Sequence, residues 1–204
     1  MPLDLRSLLD PRTTVVVTSE CQNGVLGPDT YLGDLADAAR PRIPAMARLV
    51  HGARTAGVQV IHCIFWRRAD GRGSNTNGRI FAMANKIAPP MAPGSAAAEP
   101  LTEIGHSPDD LISGRYHGAD PLQGTDLDAL LRNCGARTVV VVGVSVNVAL
   151  VGLTLGLLNR GYQVVVPRDA VAGIPIDYAE TMLDNTYAII STVVTTDDVL
   201  AAWG

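Results

Sequence analysis

Glu20 and Arg115 are the two residues whose types and surroundings offer chemistry first. Glu20 stands in the polar run Ser19-Glu20-Cys21-Gln22-Asn23-Gly24, directly after a β-branched run at residues 13–18. Arg115 follows Asp110-Leu111-Ile112-Ser113-Gly114, another short strand pattern. A carboxylate beside a cation at the head of a sheet is a workable acid/base pair: the cation holds the carboxylate ionised while burial pushes its pKa upward. The same residues would equally serve as a turn cap and a structural ion pair. His117, close behind Arg115, is the histidine placed for proton transfer, whereas His62 lies inside a strand pattern and reads as a core histidine. The loop at residues 66–77 supplies Arg67, Arg68, Asn75 and Asn77. These could hold an anionic or carbonyl-bearing ligand or form an ordinary solvated loop.

The elements that must position these groups follow from hydrophobic pattern. The run Thr138-Val139-Val140-Val141-Val142 enters Gly143 and is apolar on both faces, as in a parallel sheet covered on both sides. It breaks through Gly143-Val144-Ser145-Val146-Asn147-Val148-Ala149 into a helical pattern ending near Gly161, and α/β proteins place their sites at such strand-to-helix turns. Further strands are expected at residues 13–18, 58–65, 110–113, 162–167 and 192–194. Helices are expected at 43–56, at 125–135 with Thr125 as N-cap, and at about 178–190. The Pro/Ala/Gly-rich stretch 88–98 reads as a surface excursion. Strands alternating with helices predict a three-layer α/β/α sandwich, with residues 1–204 forming one domain.

Composition narrows the function classes. Of 204 residues 47% are hydrophobic and 18% charged, enough for a core and too apolar for disorder. A net charge of −4 with no basic block gives no footprint for nucleic acid or an anionic membrane. The three cysteines, Cys21, Cys63 and Cys134, match no zinc-ligand spacing, and their odd number suits reduced thiols. None is read as a nucleophile. No metal or cofactor is expected, and the opening Met1-Pro2-Leu3-Asp4-Leu5-Arg6, without a signal-peptide pattern, points to the cytoplasm. The helix after the Gly143–Ala149 turn (Leu150, Val151, Leu153, Leu155, Leu157, Leu158) is apolar nearly all round, so a homodimer or homotetramer is expected.

With these residues in view, the chain resembles the isochorismatase-like cysteine-hydrolase superfamily over about residues 13–199. The resemblance rests on Val16-Val17-Thr18-Ser19-Glu20-Cys21-Gln22-Asn23, Asp110–Arg115, Gly124-Thr125-Asp126-Leu127-Asp128, Gly143–Ala149 and Arg168-Asp169-Ala170-Val171-Ala172-Gly173. It implies a six-stranded parallel sheet and a cis peptide at Val144-Ser145 that helps shape an oxyanion hole. The family's Asp, Lys and Cys triad carries over to Glu20, Arg115 and Ala149. All three differ, and with no thiol at 149 a covalent route through cysteine is closed there. The isochorismatase branch, which resembles this chain in lacking the cysteine, implies hydrolysis without a covalent intermediate. The expectation is a hydrolase acting on a small carboxylate- or carbonyl-bearing substrate, with Glu20 as general acid/base. Gln22, Asn23, Arg67, Arg68, Asn75, Asn77, Val144, Ser145 and Val148 are its expected substrate-binding residues. The alternative is an inactive member that binds a ligand or serves assembly.

Overall fold

The computed structural model describes residues 4–204. Seven strands, β1 (Thr14–Ser19), β2 (Gln59–Phe65), β3 (Leu111–Arg115), β4 (Thr138–Val144), β5 (Gln163–Pro167), β6 (Val171–Ala172) and β7 (Thr192–Val194), pair in parallel in the order β3-β2-β1-β4-β5-β7. The short β6 lies against the end of β4. The expected six strands are thus joined by a seventh. After β5 a tight turn at Arg168–Ala170 brings two residues back beside Gly143 and Val144, a pairing too short to leave a periodic signal.

The helices are α1 (Leu5–Leu8), α2 (Asn23–Leu26), α3 (Gly33–Ala39), α4 (Ile43–Thr55), α5 (Arg79–Ile87), α6 (Leu127–Asn133), α7 (Val151–Asn159), α8 (Ile176–Met182), α9 (Ala188–Ile190) and α10 (Thr196–Trp203). Alternation along the strands divides the core. Val16, Val60, Val140 and Val142 face Met46, Leu49 and Val50 of α4 together with Val199 of α10. Val15, Val17, Val139 and Val141 face Leu127 and Leu131 of α6 with Leu153 and Leu157 of α7. On α7, Leu155 and Leu158 remain exposed. No helix among the described residues is long and apolar enough to cross a membrane.

Three local expectations are corrected. Asp126, not Thr125, is the residue immediately before α6 and makes no side-chain cap bond, but the Thr125 hydroxyl still accepts from the Leu127 N–H at 3.3 Å while it donates to the Pro121 carbonyl at 2.8 Å. The helix expected from Tyr178 begins at Ile176 and widens into a π-turn at Leu183–Tyr187, where the Tyr187 hydroxyl donates to the Val146 carbonyl at 2.7 Å. The stretch 88–98 is no simple surface excursion. Met91 is fully buried, and its backbone pairs with that of Arg67 in both directions.

His62 is a satisfied core histidine. Its Nδ1 lies 2.8 Å from the Thr18 hydroxyl and its Nε2 3.2 Å from Asp110, which also pairs with Arg54 at 2.7 Å. Burial holds the His62 pKa below its ordinary value against the pull of Asp110, while Arg54 and His106 push the same way as burial. Asp110 itself is raised by burial but ends below the usual carboxylate range, because Arg54, the Ser107 N–H and His62 all hydrogen-bond it. Below pH 6.5 the unfolded chain therefore takes up the histidine proton before the folded one does, and stability falls with pH; the Asp110 contribution is lost at more acid pH. The melting temperature is expected to drop between about pH 7 and about pH 5, with a shallower slope in His62→Gln. Parallel thermal melts of the two proteins across that range would reveal an equal slope if the account were wrong.

Candidate active site

The strand order reverses between β1 and β4: β1, β2 and β3 wind one way, and β4, β5 and β7 the other. At such a switch point the two connecting chains leave in opposite directions and open a crevice at the carboxyl ends of the strands. Ser19 pairs with Gly143 in register, so Glu20 and the turn after Gly143 emerge side by side. Arg115 closes β3 opposite Phe65 of β2, two strands from β1. Topology therefore gathers the ends of β1, β3 and β4 at one edge.

Glu20 is the one non-glycine residue with a left-handed backbone among those described, at φ 54°. That conformation ends β1 and turns the carboxylate toward the crevice, while the Glu20 N–H still donates to the Cys63 carbonyl at 2.9 Å. The Arg115 guanidinium makes a close ion pair with Glu20. It also donates to the carbonyls of Ala119 (3.2 Å) and Gly118 (3.4 Å), and its carbon lies 5.6 Å from the centre of the Phe65 ring. The Arg115 side chain is 2% exposed and that of Glu20 17%, so the cation backs the carboxylate and only the carboxylate meets the crevice.

The crevice holds a cavity of about 270 Å3. Its floor and polar side are Glu20, Ser145, Asn147, Val148 and Ala149, and the Val144-Ser145 peptide is cis. Its walls are Tyr31, Leu32 and Leu35 from and before α3, Phe65 from β2, Ile174, and Ile80, Phe81, Met83 and Ala84 from α5. Burial, reinforced by the negative charge of Glu20, pushes the Tyr31 phenol up to about 12, so its hydroxyl stays a donor at neutral pH. Among the described residues no cysteine lines the cavity. Cys21 is buried against Gly143 with its thiol pushed up by burial, and Cys63 is pushed up to about 12 for the same reason. A wider depression of about 800 Å3 lies at the opposite edge of the sheet, where Asp10 and Arg12 pair with each other at 2.7 Å.

The isochorismatase domain model matches residues 14–198. This chain belongs to the isochorismatase family. It is 29% identical over 182 residues to the ureidoacrylate amidohydrolase of Methylobacterium radiotolerans, covering 79% of this chain and 68% of that protein. It is 31% identical over 162 residues to the ureidoacrylate amidohydrolase of Caulobacter segnis, covering 70% and 65% respectively. The chain thus spans about two thirds of the length of these relatives. Among solved structures, the cysteine hydrolase from Pseudomonas syringae pv. phaseolicola superposes with a TM-score of 0.79 at 22% identity, over 100% of this chain and 95% of that one.

Within this isochorismatase fold, the three positions matched to the family triad come together: Glu20 and Ala149 line the cavity and Arg115 stands behind Glu20. Ser145 and Val148 also line it, whereas Val144 is wholly buried beneath. The other expected binding residues lie elsewhere, because the protein's own backbone takes up most of their polar groups. Gln22 accepts from the Phe65 N–H at 2.7 Å and donates to the Phe65 carbonyl at 2.9 Å, which pins the aromatic wall. Asn23 donates to the Ala96 carbonyl. Buried Arg67 donates to the carbonyl of Asn85 in α5 at 3.2 Å, and exposed Arg68 pairs with Asp70 at 2.7 Å. Asn75 accepts from the Gly118 N–H at 2.7 Å and donates to Asn77, so the polar loop folds onto the turn after β3. His117 is exposed and is not among the cavity residues.

Sequence reasoning missed the walls contributed by α3 and α5. For α5 a signal was present: Ile80, Met83, Ala84 and Ile87 recur at helical spacing along one face. That face is not buried, since Ile80, Met83 and Ile87 are 47%, 50% and 54% exposed.

Proposed function

We propose that this isochorismatase-family protein hydrolyses a small carbonyl-bearing substrate without a covalent enzyme intermediate, with Glu20 as general acid/base. The observation that carries the proposal is Glu20 itself. Among the described residues it is the single charged side chain facing the cavity, and a buried arginine stands behind it. A carboxylate so placed can take a proton from an attacking water and return it to the leaving group. Arg115 orients the carboxylate through the ion pair, its two backbone carbonyl contacts and its packing on Phe65. Ala149 leaves room at the floor of the cavity and contributes no nucleophile.

A second reading, a ligand-binding protein without turnover, draws on the same ion pair. Glu20 and Arg115 satisfy one another, which is also what a purely structural pair would do. A panel of amides, ureas and vinyl ethers assayed with the wild-type chain and with Glu20→Gln separates the two. The hydrolase reading expects turnover of at least one class that depends on Glu20. Saturable binding with no turnover in any class would favour the second reading.

A further inference from the structure

We infer that Arg67 and Ser74 hold one small monovalent anion, of the halide class, in a second cavity against α5. The site is separate from the Glu20 cavity and does not depend on how that cavity is used. It measures about 10 Å3, room for one guest of water or halide size, and Arg67, Ser74, Asn75 and Asn85 supply polar lining. Phe65, Phe81 and Ala84 line both cavities and so stand between them.

Two polar atoms of these lining residues are buried without a hydrogen-bond partner among the described residues: Arg67 Nε and Ser74 Oγ. Arg67 is 7% exposed, and its Nη1 and Nη2 donate to the carbonyls of Arg68 (3.4 Å) and Asn85 (3.2 Å). Carbonyls satisfy N–H groups but bring no formal charge. No carboxylate lines the cavity, and nearby Asp70 is taken by Arg68 at 2.7 Å. A buried guanidinium without a counter-charge is costly. The Nε–H can only donate, and the serine hydroxyl can donate beside it, so the guest that completes both is an acceptor. A water would satisfy the two donors but must place hydrogens of its own, and Asn75 Oδ1 already accepts from the Gly118 N–H at 2.7 Å. A halide places none and supplies the missing negative charge. Its position is where α5 meets the loop at residues 66–77, since Arg67 donates to the Asn85 carbonyl and the Asn85 side chain donates to the Asn75 carbonyl at 2.9 Å. Binding there fastens α5, the helix that walls the Glu20 cavity.

The test soaks crystals of the chain in bromide. In solution it follows amide hydrogen exchange of residues 79–87 as chloride replaces gluconate at constant ionic strength. One bromide is expected by anomalous scattering, within hydrogen-bonding reach of Arg67 Nε and Ser74 Oγ. Exchange in α5 is expected to slow saturably with chloride. Ser74→Ala, which loses one donor, is expected to need about tenfold more chloride for the same protection. Arg67→Gln is expected to lose the effect, and should it fail to fold, Ser74→Ala carries the test alone. A scatterer at Arg67 Nε without anomalous signal would be a water and would overturn the inference. So would bromide in the crystal with no saturable chloride effect in solution, which is binding at crystal concentration only. Equal slowing in the wild type and in Ser74→Ala is a general salt effect and overturns it as well.

Discussion

Glu20→Gln is expected to lower turnover on an identified substrate by about 10²–10⁴-fold, the usual contribution of a positioned general acid/base. Glutamine keeps an acceptor for Arg115 but cannot take or give the proton. The substitution also removes the compensating charge of a guanidinium that is 2% exposed. Breaking one side of a buried pair costs about 3–5 kcal/mol, and the lower end is expected here because Glu20 keeps 17% of its side chain in contact with solvent. Activity and stability must therefore be separated. The double variant Glu20→Gln/Arg115→Met removes both charges and keeps similar volume, so it is expected to regain most of the lost stability and none of the activity. Denaturant titration beside a turnover assay reads both quantities. Full activity in a folded Glu20→Gln protein would end the general acid/base assignment. Recovery of activity in the double variant would make the pair purely structural.

Gly143→Ala is expected to destabilise the fold by about 4 kcal/mol or more, beyond the range of an ordinary substitution. Gly143 sits at φ 107°, where a side chain is strained. A methyl group there would also lie 2.3 Å from the Ser19 carbonyl oxygen and 2.6 Å from the Cys21 sulfur. The first of these is backbone of β1 held in register with β4, so relief requires prising apart the two central strands. Gly57 supplies the control. It too has a positive φ, 73°, but nothing stands within 4 Å of its added carbon, so Gly57→Ala is expected to cost only about 1 kcal/mol. Urea midpoints for the two variants measure the difference. Similar losses would show that backbone conformation, rather than the contact with β1, decides the penalty. Because Glu20 follows Ser19 directly, a surviving Gly143→Ala protein is also expected to lose activity, since a shift of order 1 Å at a catalytic group is costly.

Glu20 and Gly143 were both legible along the chain, for different reasons. A parallel strand covered on both faces must be apolar throughout, and the unbroken run Val139–Val142 fits such a strand better than an alternating, half-exposed one. The break at Gly143 was equally visible. Strand ends are where polar residues such as Glu20 and Arg115 stand out against an apolar background. Pairing of those two could be expected from that pattern because both close strands of one sheet.

Residue types and their periodicity thus carried the layered fold, the edge of the sheet where the Glu20 cavity lies, and the absence of a thiol at position 149. Which groups line the cavity depended on packing in three dimensions. Strand order placed the crevice between β1 and β4, and α3 and α5, each on a different stretch of chain from the strand ends, closed it with apolar walls. The same packing tied Arg67, Asn75 and Gln22 to carbonyl and N–H groups of the protein and kept Arg115 behind Glu20. The physical reason is that hydrophobic periodicity records burial along a segment, whereas the partner of a polar side chain depends on which distant backbone group is left unpaired beside it.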